Sequence, residues 1–230
     1  MDSQSKEPPG LPGSGIDAVW KARSALYRTI IERYKDYINE QEQKTVPVLK
    51  SLVNPDDTAV QGLRQQIVTR IGEAKRTAAS DRVVESRELE YSFGTDFLDA
   101  ARYAFEYVQS LSRTDSELSI SFWLSYSEMV SLGIADPFDR ALLLCSLLDA
   151  LGCKNAMVSV LELDDASAHP VVTFWAGKLF LLDCANRKAG FAELSDETKT
   201  GLVARFETED GKKATGIAYE FNREEYAEKE

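Results

Sequence analysis

The chain has 230 residues, 43% of them hydrophobic, and its 38 acidic against 27 basic residues give a formal net charge of −11 and a pI near 4.8. That length and composition suffice for a substantial core in one or two compact units. The acidic excess argues against sequence-independent nucleic-acid binding, which works by neutralising phosphates with Lys and Arg. No run approaches the ~20 apolar residues of a membrane span, and the N-terminus lacks the apolar segment of a signal peptide. Three cysteines cannot all pair within the chain, and they lack the spacing of a zinc ligand set or a redox pair. A reducing, cytoplasmic compartment is therefore expected, with no metal, no cofactor, no nucleic acid and no membrane among the partners.

Residues 1–15 hold three Pro and three Gly among polar residues and are expected to be disordered. From Ile16, the apolar positions Val19, Trp20, Leu26, Tyr27, Ile30, Ile31, Tyr34, Tyr37 and Ile38 follow a helical period to about Gln43. Pro47 interrupts it, a short helix ends at Asn54–Asp57, and another helix runs from Thr58 to about Ala79. The latter's Arg64, Arg70, Lys75 and Arg76 read as a solvated face, with an anionic partner as the functional alternative. The apolar face of the first helix is too large to stay exposed. Packing as a hairpin on the Thr58–Ala79 helix is the first expectation, and pairing with another copy of the chain the second. Residues 16–82 thus form a helical N-terminal segment, and 83–230 an α+β domain. Within that domain, Val83–Phe93 has strand character, and Ser125 and Glu128 make a capping box for a short helix that Gly133 ends. Two arms, LVARFETE and ATGIAYEFN, bracket the turn Asp210–Lys213 as a hairpin, and the charged last stretch is expected to fray.

The most informative stretch runs from Asp136 to Asp183. Asp136 can cap a helix, Pro137 fits its first position, and Asp139 completes a box-like start. The helix continues through the apolar run LLLCSLL. Val158–Leu163 and His169–Cys184 follow as strands, the second folding back at Ala176 and Gly177. Cys145 lies eight residues beyond Pro137, roughly 12 Å along a helix axis, and reads as a core thiol. Neither Cys153 nor Cys184 is at a helix start. Trp123, just before the capping box, is placed to cover the core helix.

The stretch Ala135-Asp136-Pro137-Phe138-Asp139-Arg140-Ala141-Leu142-Leu143-Leu144, followed by Ser146-Leu147-Leu148-Asp149-Ala150-Leu151-Gly152, resembles the core helix of the transglutaminase-like superfamily, the papain-like cysteine-protease fold. In microbial and archaeal-type members that helix reads Gly-Asp-Cys-x-Asp-x-Ala-Leu-Leu-Leu, then Ser-Leu-Leu-x-Ala-Leu-Gly, and the two align without a gap. The resemblance covers residues 93–184. It implies an α+β fold in which a buried helix packs on an antiparallel sheet, with Asp96–Leu111 as the preceding helix. It also implies a triad of a Cys at the helix start, His169 on a strand and Asp183 at the end of the next. Pro137 occupies the Cys position, and Pro170 stands where an aromatic or small residue usually follows the His.

A thiolate attacks acyl groups because a helix N-terminus and an imidazolium lower its pKa, with an Asp orienting the imidazole. Proline offers no such group. Whether His169 and Asp183 share a face depends on the turn between them. A two-residue loop pairs Trp175 with Lys178 and turns them apart, whereas a three-residue loop pairs Trp175 with Leu179 and brings them together. Both remain open at this level. The sequence points first to a catalytically inactive transglutaminase-like protein that holds a protein or peptide in the old cleft, with Asp136, Asp139, Trp123 and Trp175 as binding residues. One alternative is a hydrolase or acyl-transfer enzyme rebuilt around His169, with Asp183 or Asp139 assisting. The other is an assembly role, through oligomerisation of the N-terminal helices.

Overall fold

The computed structural model describes residues 15–41, 44–79, 89–113, 123–186, 191 and 198–228. The expected disorder of residues 1–15 falls, but for Gly15, outside them. The described residues fall into two units. The first contains α1 (Gly15–Gln41). Its Val19, Trp20, Leu26, Tyr27, Ile30, Tyr34 and Tyr37 are all exposed.

The second unit, from Lys44 onward, is an α+β fold. It begins with α2 (Val46–Leu52) and α3 (Thr58–Ala78), so these helices belong with the main core and not with α1. Asp57 caps α3 by accepting from the N–H groups of Ala59 and Val60. Val60, Leu63, Ile67 and Ile71 of α3, the face expected to pair with α1, are buried in the main core of their own unit. Three of the four cations on the basic face of α3 have partners within the unit. Arg64 Nε donates to Ala150 O, Arg70 lies 4.0 Å over the Tyr103 ring, and Lys75 Nζ reaches Asp96 at 2.6 Å.

Most of the expected strand Val83–Phe93 lies outside the described residues, and Phe93 itself opens α4 (Phe93–Ser110). That helix begins three residues before the predicted Asp96 because Asp96 Oδ2 accepts from Ser92 N–H at 2.8 Å and ties down its first turn. Two-residue strands β1 (Ser112–Arg113) and β2 (Ile134–Ala135) pair in parallel around α5 (Tyr126–Leu132). The capping box at Ser125 and Glu128 is present, and Gly133 ends α5 with φ 66°.

At the centre lies α6 (Pro137–Ala150), in which every residue from Asp139 to Asp149 is buried. A fully buried Leu contributes roughly 1.5–3 kcal/mol, so the five leucines of LLLCSLL make this helix the main source of core stability. It packs on a sheet of order β5-β4-β3-β6-β7, with β3 (Met157–Leu163), β4 (Ala168–Trp175), β5 (Leu179–Leu182), β6 (Ala214–Phe221) and β7 (Tyr226–Glu228), all antiparallel. Val158, Val160, Val172, Phe174, Phe180, Leu182 and Phe221 belong to the same core as α6. Leu161, Leu163 and Val171 join Val203 of α7 (Lys199–Val203) in a smaller second cluster.

Two C-terminal expectations are corrected. LVARFETE holds the end of α7 and a single bridge, Glu207 to Lys213, because β6 pairs along its length with β3 instead. The charged end does not fray through Glu228. Asn222 Oδ1 accepts from the N–H groups of Glu224 and Glu225, turning the chain so that β7 adds to the sheet.

Candidate functional site

The turn after β4 has three residues. Trp175 pairs with Leu179, and Gly177 takes φ 73°, a left-handed conformation that glycine adopts without the Cβ penalty. Of the two registers the sequence leaves open, this is the one that brings His169 and Asp183 to one face. His169 Nε2 stands 3.1 Å from Asp183 Oδ1. The approach lies off the N–H direction, so Nε2 is buried with no hydrogen-bond partner among the described residues. Asp183 is itself fixed, since Oδ1 accepts from Ala185 N–H at 3.0 Å and Asn186 N–H at 3.2 Å. On the other side, the Phe206 ring lies 5.3 Å from that of His169.

A cavity of about 490 Å³ opens beside His169. Pro137 lines it, together with Arg113, Leu163, Ser167, Pro170, Asn186, Thr208 and Lys212. The start of α6 and the histidine therefore face one space. Phe138 does not fill it. That ring stacks on Phe221 at 6.2 Å and meets Trp123 edge-on at 4.8 Å, and neither Phe138 nor Trp123 lines the cavity. Arg140 sets the helix start against the strand end, its buried guanidinium donating to Leu111 O at 2.7 Å and Cys184 O at 3.1 Å.

Asp136 acts as the expected N-cap, accepting from Asp139 N–H at 2.7 Å, a bond worth about 1 kcal/mol. Burial pushes its carboxyl above the ordinary range. Asp139 is buried behind it, and its carboxylate accepts from Leu124 N–H at 3.4 Å, on the approach to α5. Desolvation, and then the Asp136 charge, push Asp139 up to about 7. Neither carboxylate lines the cavity. Trp175 is further still from the site: six residues of strand separate it from His169, roughly 20 Å. It is exposed, and its backbone is bracketed by Asn155, which accepts from Trp175 N–H and donates to Trp175 O. Of the four binding residues expected from sequence, Asp136, Asp139 and Trp123 organise the start of α6 and Trp175 closes a turn.

All three thiols are buried. Burial raises Cys153 to about 12 and pushes Cys145 and Cys184 higher still, and none is at a helix start. Sequence reading missed Arg113, Asn186, Phe206 and Thr208. Phe206 and Thr208 were assigned to a strand arm, and Arg113 and Asn186 carry no motif. Among the described residues no cluster of His, Cys, Asp and Glu could hold a metal ion, and no helix is long and apolar enough to cross a membrane.

No family model and no curated protein matches the chain. Among solved structures it is similar to Legionella pneumophila LapG, at 18% identity and a TM-score of 0.39 over 70% of this chain and 87% of that one. Calcium-bound LapG from the same organism gives 17% and 0.37 over 69% and 90%, and EGTA-treated LapG 17% and 0.37 over 70% and 84%.

Proposed function

We propose that this chain is a transglutaminase-like protein that has lost nucleophilic catalysis and holds a protein or peptide segment in the cavity beside His169. The observation that carries the reading is Pro137. It occupies the first position of α6 and lines the same cavity as His169, where the superfamily places its thiol, while every thiol of the chain is buried elsewhere. His169 and Asp183 stand side by side without a hydrogen bond between them, and no described group beside them is a nucleophile for the imidazole to activate. What remains is a concave site with apolar walls at Pro137, Leu163 and Pro170 and polar groups at Arg113, Asn186 and Thr208. Such a mixture suits an extended segment whose side chains seat on the walls and whose backbone meets the polar groups.

The test is selection of peptides from a displayed library on the wild-type chain, with counter-selection on Ala168→Arg, which projects a long side chain from the cavity lining. Peptides that bind the wild type and lose at least tenfold in affinity on Ala168→Arg are the expected result. A library yielding only binders indifferent to that substitution would sink the proposal. A second reading, hydrolysis with His169 as general base toward a water, is favoured by the 3.1 Å pairing with Asp183 alone. Turnover of a peptide or ester that vanished in His169→Ala would move it to first place.

A further inference from the structure

We infer that α1 is a self-pairing helix that joins two copies of this chain antiparallel to one another. The inference starts from its exposed side chains. Trp20, Tyr27, Ile30, Tyr34 and Tyr37 recur at intervals of seven, three, four and three residues and form one stripe, flanked by Val19 and Leu26, all exposed. Aromatic side chains bury about 150–250 Å² each. With four of them a little over half exposed and three aliphatic neighbours beside them, the stripe approaches the ~800 Å² per partner of a standard interface. Isolated monomers rarely leave so large a contiguous apolar face in water.

The sequence of the stripe selects the partner and its direction. Continued through the heptad, Trp20, Tyr27 and Tyr34 take one core position, and Arg23, Ile30 and Tyr37 the other. In a parallel pair each residue meets its own copy, which sets Arg23 against Arg23 in the core, a like-charge contact that costs stability. In an antiparallel pair the two core positions face each other. Trp20 then meets Tyr37 of the second copy, Tyr27 meets Ile30, and Arg23 meets the ring of Tyr34. Arg23 already lies 5.8 Å over Trp20, so its guanidinium is on the aromatic side of the helix, where a second ring can sandwich it. This register is centred between Arg28 and Thr29, the middle of a helix that runs from Gly15 to Gln41, so the two copies overlap along nearly their whole length. Charge follows the same direction. Gly15–Arg28 carries three cations and one acid, whereas Thr29–Gln41 carries three acids and two cations, and antiparallel pairing sets one half against the other. The pairing uses no residue of the cavity and is independent of its occupant.

Light scattering and disulfide trapping on the full chain test this together. The expected mass is twice 25.6 kDa, falling to the monomer in Ile30→Glu/Tyr34→Glu with the melting temperature of the main unit unchanged. For direction, Trp20→Cys and Tyr37→Cys variants are oxidised separately and mixed. The mixture should give a disulfide-linked heterodimer and the separate variants none, because two Trp20 positions lie about 25 Å apart in the antiparallel pair. The native cysteines are buried and stay out of the reaction. A monomer at all concentrations, a dimer untouched by the double glutamate, or self-linkage of Trp20→Cys alone each overturns the inference.

Discussion

Replacing Asp139 with Asn removes one ionisation while keeping the shape of the side chain. Asp139 is 1% exposed, and desolvation followed by repulsion from Asp136 moves its carboxyl from 3.8 to about 7. The folded chain therefore holds a proton between roughly pH 4 and pH 7 that the unfolded chain has released. Stability is highest at the acid end of that window, falls as pH rises through it, and levels off above it. At about 1.4 kcal/mol per unit, a gap of this size corresponds to roughly 4–5 kcal/mol. The helix dipole favours an anion in the first turn by only ~0.3–1 kcal/mol, so burial decides the sign. The amide of Asn keeps the acceptor for Leu124 N–H. Asp139→Asn should then match the wild type near pH 4 and exceed it by a few kcal/mol at pH 8. Urea unfolding followed by tryptophan fluorescence reads this, since Trp123 packs on Phe138 beside the substituted residue. Asp96, lowered on balance by its hydrogen bonds, titrates in both proteins and cancels in the difference. Parallel stability profiles for the two proteins from pH 4 to pH 8 would refute the reasoning.

Two further outcomes are expected. Cys145, Cys153 and Cys184 should resist iodoacetamide in the native chain at neutral pH and react only on unfolding, because burial raises all three thiols; labelling within minutes, traced by mass spectrometry, would contradict the buried assignment. His169→Leu should leave stability unchanged or raise it while abolishing peptide binding. It removes a buried Nε2 that lacks a hydrogen bond, an omission costing ~1–3 kcal/mol, and a marked fall in melting temperature would show that the histidine serves the core.

Much of the second unit was legible because its signals are local. Asp136 and Pro137 announce a helix start, the capping box at Ser125 announces another, and LLLCSLL can only be a buried helix. The His–Asp pairing was legible as a choice between two turns, which a single glycine at φ 73° resolves. Contacts far apart in sequence carried no such signal. Arg64, Arg70 and Lys75 look like a wet helical face until Ala150, Tyr103 and Asp96 are brought against them. Phe206 was assigned to a strand by propensity, but β6 takes β3 as its partner and leaves Phe206 to cover His169. Trp175, named from sequence as a binding residue, stands at the far end of β4 from His169, and strand geometry alone sets it away from the cavity.

The two members of the pair do not carry equal weight as traces of chemistry. Asp183 holds the turn after β5 through Ala185 and Asn186, so the fold accounts for it even with no histidine nearby. Pro137 is equally well explained by structure, since its ring presets the first turn of α6 and the missing N–H is one the helix leaves unbonded. His169 is different. Phe206 supplies an apolar contact that any large side chain could make, while the imidazole places a buried Nε2 against a carboxylate at an angle that gives no hydrogen bond. A core selected for stability alone has no use for that nitrogen. The histidine is thus the member of the pair that packing does not explain, and it shares its cavity with Pro137 at the helix position where a thiol would otherwise stand.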